Sequence, residues 1–225
     1  DHRDLHSFPT RRSSDLCAGV VAAVGANVRQ FCRGDEVIAM CAGGAFGSYV
    51  SVAASLPIAI KPKALSFEEG AAIPVAALTA AWCLERIARL QRGQWVLVHG
   101  AAGGVGLAAI GMARAAGAVV VATVGKARKR NYLIHEAQLV PETHVLGSRN
   151  AAEFLDGVAQ LTGRRGVDVV LNSLAGDTFI AAGLNSVARG GWFIEIGRTG
   201  VWSSERVAAR SEEHTSELQS RQVIS

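Results

Sequence analysis

A glycine-rich segment restricts the possible folds of this chain more than any other feature. The segment HGAAGGVG, residues 99–106, follows an apolar run, Trp95–His99, and opens a segment with helical spacing, Val105–Ala116. A second apolar run, Val119–Thr123, completes a strand, loop, helix, strand unit. Glycines let the backbone approach phosphate oxygens, and a helix N-terminus offers unpaired N–H groups. The unit predicts dinucleotide binding, whereas a tight structural turn is the alternative for an isolated glycine pattern. The predicted pyrophosphate contacts are Gly100, Ala101, Ala102, Gly103, Gly104, Val105 and Gly106.

The residues after the second strand indicate which nucleotide binds. Proteins that bind NAD usually carry Asp or Glu about 20 residues beyond the loop, where it holds the ribose 2′-OH. Here the strand leads into a basic cluster, Lys126–Arg130, and the next carboxylate is Glu136. Positive charge favours the 2′-phosphate of NADPH, although a solvated basic helix start is the alternative. The predicted contacts are Thr123, Lys126, Lys129 and Arg130.

Composition excludes several other classes of protein. The 225 residues are 49% apolar and 19% charged with a formal charge of +4, which is typical of a globular chain. Basic residues are otherwise scattered and the tryptophans lie in apolar segments, so no nucleic-acid surface is predicted. Residues 37–60 carry no charge, but glycines and Pro57 interrupt them, so no membrane span is predicted.

The cysteines indicate neither a metal site nor an oxidising compartment. Cys17, Cys32, Cys41 and Cys83 show no C-x-x-C spacing and have no His within a few positions. We therefore expect no bound metal, and thiols that stay reduced in the cytoplasm.

Two domains are predicted between dissimilar ends. Residues 17–62 predict short strands of a barrel-like domain, Ala18–Val24, Val37–Met40, Phe46–Val52 and Pro57–Ile60. Residues 63–209 begin with a helix capped by Ser66 and a second helix, Val75–Leu90. From Trp95 onward five strands alternate with four helices, which predicts a parallel sheet covered on both faces. The predicted helices are Val105–Ala116, Arg128–Ala137, Ala151–Leu161 and Thr178–Val187, and the last three strands are His144–Leu146, Val167–Leu171 and Trp192–Ile196.

Both ends differ from the rest of the chain. Residues 1–16 and 210–225 are rich in Ser, Arg, Glu and His. Residues 6–16 and 210–220 resemble translations of a DNA sequencing-library adapter, with a disordered tail or a targeting peptide as the alternative. We expect both ends to be non-native, and the dinucleotide-binding domain between them to lack its last strand and helix.

The motifs between these ends resemble the zinc-free branch of the medium-chain dehydrogenase/reductase superfamily. The enoyl reductase domains of modular type I polyketide synthases and animal-type fatty acid synthases are the most similar members. The Asn172-Ser173-Leu174 ending is the most discriminating motif, because stand-alone quinone reductases usually differ there. Asp35–Phe46 is too short for the four-cysteine lobe of the zinc-dependent branch. The resemblance is also carried by CAGVV at 17–21, GDEV at 34–37, IPV at 73–75, GVDVVL at 166–171 and EIG at 195–197.

The resemblance implies both a fold and a reaction. The fold is α/β, a Rossmann-type doubly wound parallel sheet preceded by a partial GroES-like β-barrel domain. The reaction is NADPH-dependent reduction of the α,β-double bond of a trans-2-enoyl thioester on an acyl carrier protein, beside neighbouring synthase domains. A stand-alone NADPH quinone or enone oxidoreductase and a non-catalytic nucleotide-binding remnant remain the alternatives. The residues that would lie at the nicotinamide end are Thr79, Asn172, Ser173, Leu174 and Gly197.

The predicted catalytic position departs from the family pattern. Relatives usually carry a lysine, a proposed proton donor, where this chain has Arg198. A guanidinium stays charged, so we expect Arg198 to act through its charge, with a solvated surface residue as the alternative. We expect the 225-residue chain itself to be poorly active.

Overall fold

The chain divides into two units in its computed structural model, Asp1–Val75 and Ala76–Ser225. The structure describes residues 15–41, 44–197, 199–203 and 205–207. Arg198 and most of the two adapter-like ends lie outside the described residues. The division at Val75 leaves the first predicted helix in the same unit as the barrel-like strands.

The first unit holds a three-stranded antiparallel sheet. Its order is β1 (Leu16–Val20), β2 (Glu36–Met40) and β3 (Ile58–Ile60), with Leu16 opposite Met40 and Val37 opposite Ile60. β1 begins one residue before the predicted boundary of the adapter-like end. After β3, the buried Lys61 places its Nζ 3.0 Å from Glu36 Oε2 and donates to the carbonyl of Leu65 at 2.5 Å. Lys61 therefore ties the connection after β3 back to β2.

Helix α1, Phe67–Ala72, starts at the predicted cap. The Ser66 hydroxyl accepts from the Glu69 N–H at 3.1 Å, and the Glu69 carboxylate accepts from the Ser66 N–H at 2.8 Å. This reciprocal arrangement satisfies two backbone donors at the helix start. The prediction of Ser66 as N-cap is confirmed.

The predicted strand Phe46–Val52 is wrong. These residues form turns and irregular backbone. Gly44 takes a positive φ of 84°, and the N–H of Gly47 bonds back to the Gly44 carbonyl at 3.1 Å, which closes a turn where an extended strand was expected. Phe46 and Tyr49 are exposed, so their apolar character did not indicate a buried sheet face.

The second unit is built on a five-stranded parallel sheet. The strand order is β6-β5-β4-β7-β8, so the first strand in sequence lies in the middle and the chain winds outward in both directions. This confirms the predicted doubly wound α/β fold. The strands are β4 (Trp95–Val98), β5 (Val119–Val124), β6 (Val145–Gly147), β7 (Val167–Asn172) and β8 (Val187–Glu195). The helices are α2 (Pro74–Ala81), α3 (Gly104–Ala115), α4 (Ala127–Asn131), α5 (Ala151–Leu161) and α6 (Asp177–Asn185).

Alternate residues of the central strand enter two separate cores. Val96 and Val98 pack in the core formed with α2 and α3, whereas Leu97 packs in the core formed with α5 and α6. All three side chains are fully buried. A strand buried on both faces needs apolar residues at successive positions, which explains the unbroken apolar run in β4.

Three predicted helix boundaries differ from the structure. Two helices continue as π-helical turns, α2 through Trp82–Ile87 and α4 through Tyr132–Glu136. The last predicted helix, Thr178–Val187, ends early because β8 already starts at Val187. The register of β8 against β7 shifts between Val167 and Val169. Helical spacing alone does not distinguish α from π turns. Within the described residues, no helix combines the length and the apolar composition needed to cross a bilayer.

Candidate nucleotide-binding site

The strand order creates a crevice at the carboxyl end of the sheet. β4 and β7 are neighbours in the sheet, and the connections that follow them run to opposite faces. Ligands of open α/β sheets bind outside the strand ends at such a switch point. The glycine-rich loop follows β4 and the Asn172–Leu174 turn follows β7, so two of the predicted motifs meet there.

The glycine-rich loop leaves the start of α3 open to an anion. Gly100 has a positive φ of 61°, and the Gly103 N–H bonds to its carbonyl at 2.8 Å, which turns the chain into the helix. Gly103 caps α3 without a side-chain hydrogen bond, and the first turn contains no acidic residue. Among the described residues, the leading N–H groups and the positive end of the helix dipole therefore have no side-chain acceptor.

Gly106 sets the distance between helix and loop. A Cβ at this position would lie 2.6 Å from the Cα and the carbonyl oxygen of Ala101, and 2.6 Å from the carbonyl oxygen of Gly100. All three atoms belong to the backbone, so no side-chain rotation could make room. The absence of a Cβ at Gly106 therefore allows α3 to lie close to the loop.

The loop and the Asn172–Leu174 turn touch. A Cβ at Gly100 would lie 2.9 Å from the Oγ of Ser173. The structure thereby brings the predicted phosphate contacts next to one of the residues predicted for the nicotinamide end. Thr79 lies on α2 one turn beyond Ala76, whose Cβ is 3.5 Å from the position of a Cβ at Gly104. Helix α2 thus runs beside the start of α3.

A buried polar pair lies beneath the loop. His99 Nδ1 and Thr123 Oγ1 are 2.8 Å apart, and both side chains are buried. The His99 ring also meets Phe154 edge-on at 5.0 Å between ring centroids. Burial lowers the pKa of His99 to about 3, so the imidazole is neutral near neutral pH. His99 is thus a packing and hydrogen-bonding residue, and the Thr123 carbonyl accepts from the Ala101 N–H of the loop at 3.2 Å.

The predicted contacts within the basic cluster are two exposed lysines and one arginine with backbone partners. Lys126 precedes α4 as its N-cap, and it is exposed, as is Lys129. Arg130 donates to the carbonyls of Val145 and Glu142, and its guanidinium lies 3.7 Å from the Glu142 carboxylate. The guanidinium of Arg130 therefore holds the segment that leads into β6, whereas Lys126 and Lys129 are exposed cations beyond the end of β5.

A buried carboxylate at the end of β8 was missed as a site residue. Glu195 Oε2 accepts from Asn172 Nδ2 at 2.6 Å, and its Oε1 accepts from the Gly197 N–H at 2.7 Å. Burial raises the pKa of Glu195, opposed by the hydrogen bonds from Asn172 and the backbone. The available signal was a charged residue in an otherwise apolar strand, Trp192–Ile196. Three of the predicted nicotinamide-end residues, Asn172, Leu174 and Gly197, belong to its hydrogen-bond network.

Comparisons with known proteins agree with this geometry. A family profile described as zinc-binding dehydrogenase matches residues 104–214. A highly reducing polyketide synthase from Emericella nidulans is 43% identical over 196 residues, which are 86% of this chain and 7% of that protein. The crystal structure of CurK enoyl reductase is 38% identical with a TM-score of 0.79, over 87% of this chain and 56% of that one. Escherichia coli quinone oxidoreductase complexed with NADPH is 27% identical with a TM-score of 0.77, over 98% of this chain and 66% of that one.

The family profile is described as zinc-binding, but the described residues of this chain do not form a zinc site. In these parts of the chain, no three His, Cys, Asp or Glu side chains come together in a way that could hold a metal ion. A structural zinc site takes four such ligands and a catalytic one takes three. We therefore derive no step of a reaction through zinc.

Sequence and fold are similar to the same group of proteins. The parallel sheet carries the glycine-rich loop, a separate antiparallel sheet precedes it, and both sequence and structure match enoyl reductases of polyketide synthesis. The chain spans less than a tenth of its polyketide synthase relative and just over half of the CurK enoyl reductase. Its fold fits that of the medium-chain dehydrogenase/reductase superfamily, and the chain is similar to the enoyl reductase region of polyketide synthases.

Proposed function

We propose that the chain is part of an enoyl reductase that uses NADPH to reduce the α,β-double bond of an enoyl thioester on an acyl carrier protein. The observation that carries this proposal is the crevice where the open start of α3 meets the Asn172–Leu174 turn. It is supported by similarity to CurK, named as an enoyl reductase, and to a quinone oxidoreductase solved with NADPH. Neighbouring domains of the same synthase would supply the acyl chain.

Each part of the crevice has a role in this proposal. When bound, NADPH would supply a hydride to Cβ of the substrate. The N–H groups at the start of α3 would bind its pyrophosphate, and Lys126 and Lys129 its 2′-phosphate. The backbone of residues 172–174 and of Gly197 would line the nicotinamide end. Arg198, as a permanent cation, would stabilise the negative charge that hydride addition places on the thioester oxygen, and Cα would then take up a proton from water.

Replacing Lys126 and Lys129 together with Ala is expected to weaken NADPH binding by about tenfold to a hundredfold, because two cations beside the 2′-phosphate are removed. NADH lacks that phosphate, so its binding should change less than threefold, an estimate that allows for weak long-range effects of charge. Fluorescence titration with each nucleotide measures both constants. Lys63→Ala removes an exposed lysine from the first unit and serves as the control. Equal affinity of the unaltered chain for the two nucleotides would contradict the assignment.

The reaction itself is tested by following NADPH oxidation with crotonyl thioester and, in parallel, with a quinone. Reduction of the thioester supports the proposal. Turnover of the quinone alone would favour a stand-alone quinone reductase, and nucleotide binding without turnover of either would favour a non-catalytic remnant. Because the chain spans part of its relatives, the assay is also run on a chain extended to the length of the CurK enoyl reductase.

A further inference from the structure

Glu195 occupies a position at which a charged side chain is costly. It lies at the end of β8 with 5% of its surface exposed, in a strand whose neighbouring residues Phe193 and Ile194 belong to the two hydrophobic cores. Desolvation of a carboxylate is unfavourable unless strong hydrogen bonds replace the lost water. The hydrogen bonds from Asn172 at 2.6 Å and from the Gly197 N–H at 2.7 Å provide this replacement.

The carboxylate fixes the orientation of the Asn172 side chain. An ionised carboxylate only accepts hydrogen bonds, so the NH₂ group of Asn172 must face it. The amide oxygen of Asn172 then accepts from the Leu174 N–H at 3.3 Å, while the same NH₂ group also donates to the Leu174 carbonyl at 3.0 Å. The Ile196 N–H bonds to the Asn172 carbonyl at 2.9 Å. One carboxylate thereby sets the conformation of the turn after β7 and its distance from the end of β8.

The turn transmits this arrangement to the glycine-rich loop. Ser173 lies between Asn172 and Leu174, and its Oγ would be 2.9 Å from a Cβ at Gly100. A shift of the Asn172–Leu174 turn would therefore change the contact between Ser173 and the backbone at Gly100. On the other side, the bond from Gly197 fixes the backbone that leaves β8.

We infer that Glu195 is a positioning residue that holds the Asn172–Leu174 turn and the Gly197 N–H in the conformation that receives the nicotinamide half of the cofactor. This inference rests on the proposed NADPH-binding function. Loss of this positioning role can be distinguished from loss of 2′-phosphate binding. Glu195 contacts the segments assigned to the nicotinamide end. Among the hydrogen bonds and ion pairs of the described residues, it makes no contact with Lys126 or Lys129.

The test compares NADPH with 2′,5′-ADP, which lacks the nicotinamide half. Glu195→Gln replaces one acceptor oxygen with an NH₂ group, which opposes either the Asn172 NH₂ or the Gly197 N–H. We expect affinity for NADPH to fall about tenfold, as for loss of one charge-assisted hydrogen bond, while affinity for 2′,5′-ADP stays within about twofold. Glu85→Gln alters an exposed glutamate and should change neither constant. Circular dichroism and urea unfolding confirm that each variant is folded.

Two further variants separate positioning from stability. A Cβ at Gly197 would lie 2.7 Å from Glu195 Oε1, so Gly197→Ala displaces the carboxylate without removing it and should give the same selective loss for NADPH. The double variant Glu195→Gln with Asn172→Asp restores an amide facing a carboxylate with the donor reversed. It also removes the donor to the Leu174 carbonyl, so it should recover part of the lost affinity.

The possible outcomes decide between the two proposals. Equal losses for NADPH and 2′,5′-ADP, no loss for either, or no recovery in a folded double variant would overturn the positioning role. An unaltered chain that binds neither nucleotide would overturn the proposed function instead.

Discussion

Gly106→Ala is expected to lower the free energy of unfolding by about 3 kcal/mol, the upper part of the usual range for forcing an extra methyl group into packed surroundings. The methyl group would lie 2.6 Å from three backbone atoms of Gly100 and Ala101, so helix α3 or the loop must move. That movement would carry the leading N–H groups away from the pyrophosphate of the proposed cofactor. Loss of two such hydrogen bonds corresponds to about 100-fold or more in the dissociation constant of NADPH.

Gly111→Ala provides a matched control in the same helix. A Cβ at Gly111 would meet nothing within 4 Å, and the residue lies in the interior of α3. Alanine there should raise the free energy of unfolding by about 0.5–1 kcal/mol through its better helix propensity, with unchanged nucleotide binding. Urea unfolding and fluorescence titration of both variants give the comparison. Similar values for the two alanine variants would show that the close approach at Gly106 is not rigid.

Acidification from pH 7 to pH 5 is expected to lower the free energy of unfolding by about 2 kcal/mol through His99 alone. Burial lowers the pKa of His99 from 6.5 in the unfolded chain to about 3 in the folded chain. The unfolded chain therefore binds a proton below pH 6.5 that the folded chain rejects. The loss of stability begins near that pH and grows by about 1.4 kcal/mol per unit until the folded chain also takes up the proton.

Other groups act in separate pH ranges. Burial raises the pKa of Glu195 above 4.5, so the folded chain takes up this proton more readily and partly offsets the loss as the pH approaches that value. Burial works against the charged form of Asp168, but hydrogen bonds from Arg165 and from the Trp95 N–H lower its pKa below 3.8. The stability due to Asp168 is therefore lost only at still lower pH.

A substitution isolates the histidine. Urea unfolding of the unaltered chain and of His99→Gln at pH 7 and pH 5 should show a much smaller pH dependence in the variant. His135→Gln removes an exposed histidine and serves as the control for the loss of a histidine. An equal pH dependence in all three proteins would contradict the assignment to His99.

The sequence predicted the second unit well because its strands are buried on both faces. Each of the predicted parallel strands is present, and α5 covers the predicted Ala151–Leu161, where Asn150 accepts from two N–H groups at the helix start. The failure at Phe46–Val52 has a different origin. Apolar and polar residues alternate there without a partner strand in the described part of the chain, and alternation alone does not create a sheet.

The site was predicted where local chemistry dominates and missed where distant segments meet. The glycine-rich loop depends on residues within one turn, so its spacing was informative. Glu195 could be recognised as a site residue only from the structure, in which β7 and β8 place it against Asn172, 23 positions away in sequence. Similarly, the sequence places Arg130 among the cations predicted to contact the 2′-phosphate. In the structure its guanidinium instead donates to carbonyls 12 and 15 positions further along the chain.

The alternation of β4 between two cores makes the site intolerant of inserted residues. Val96 and Val98 lie on one side of the sheet and Leu97 on the other. One additional residue ahead of Val96 that shifted β4 by a single position would exchange these side chains between the cores, because a strand repeats every two residues. The same shift would move Gly100 along the strand direction by about 3.3 Å, away from Ser173. An insertion before β4 is thus tolerated only where the preceding turn can accommodate the extra residue. The position of Gly100 relative to Ser173 in the crevice depends on the packing of three aliphatic side chains.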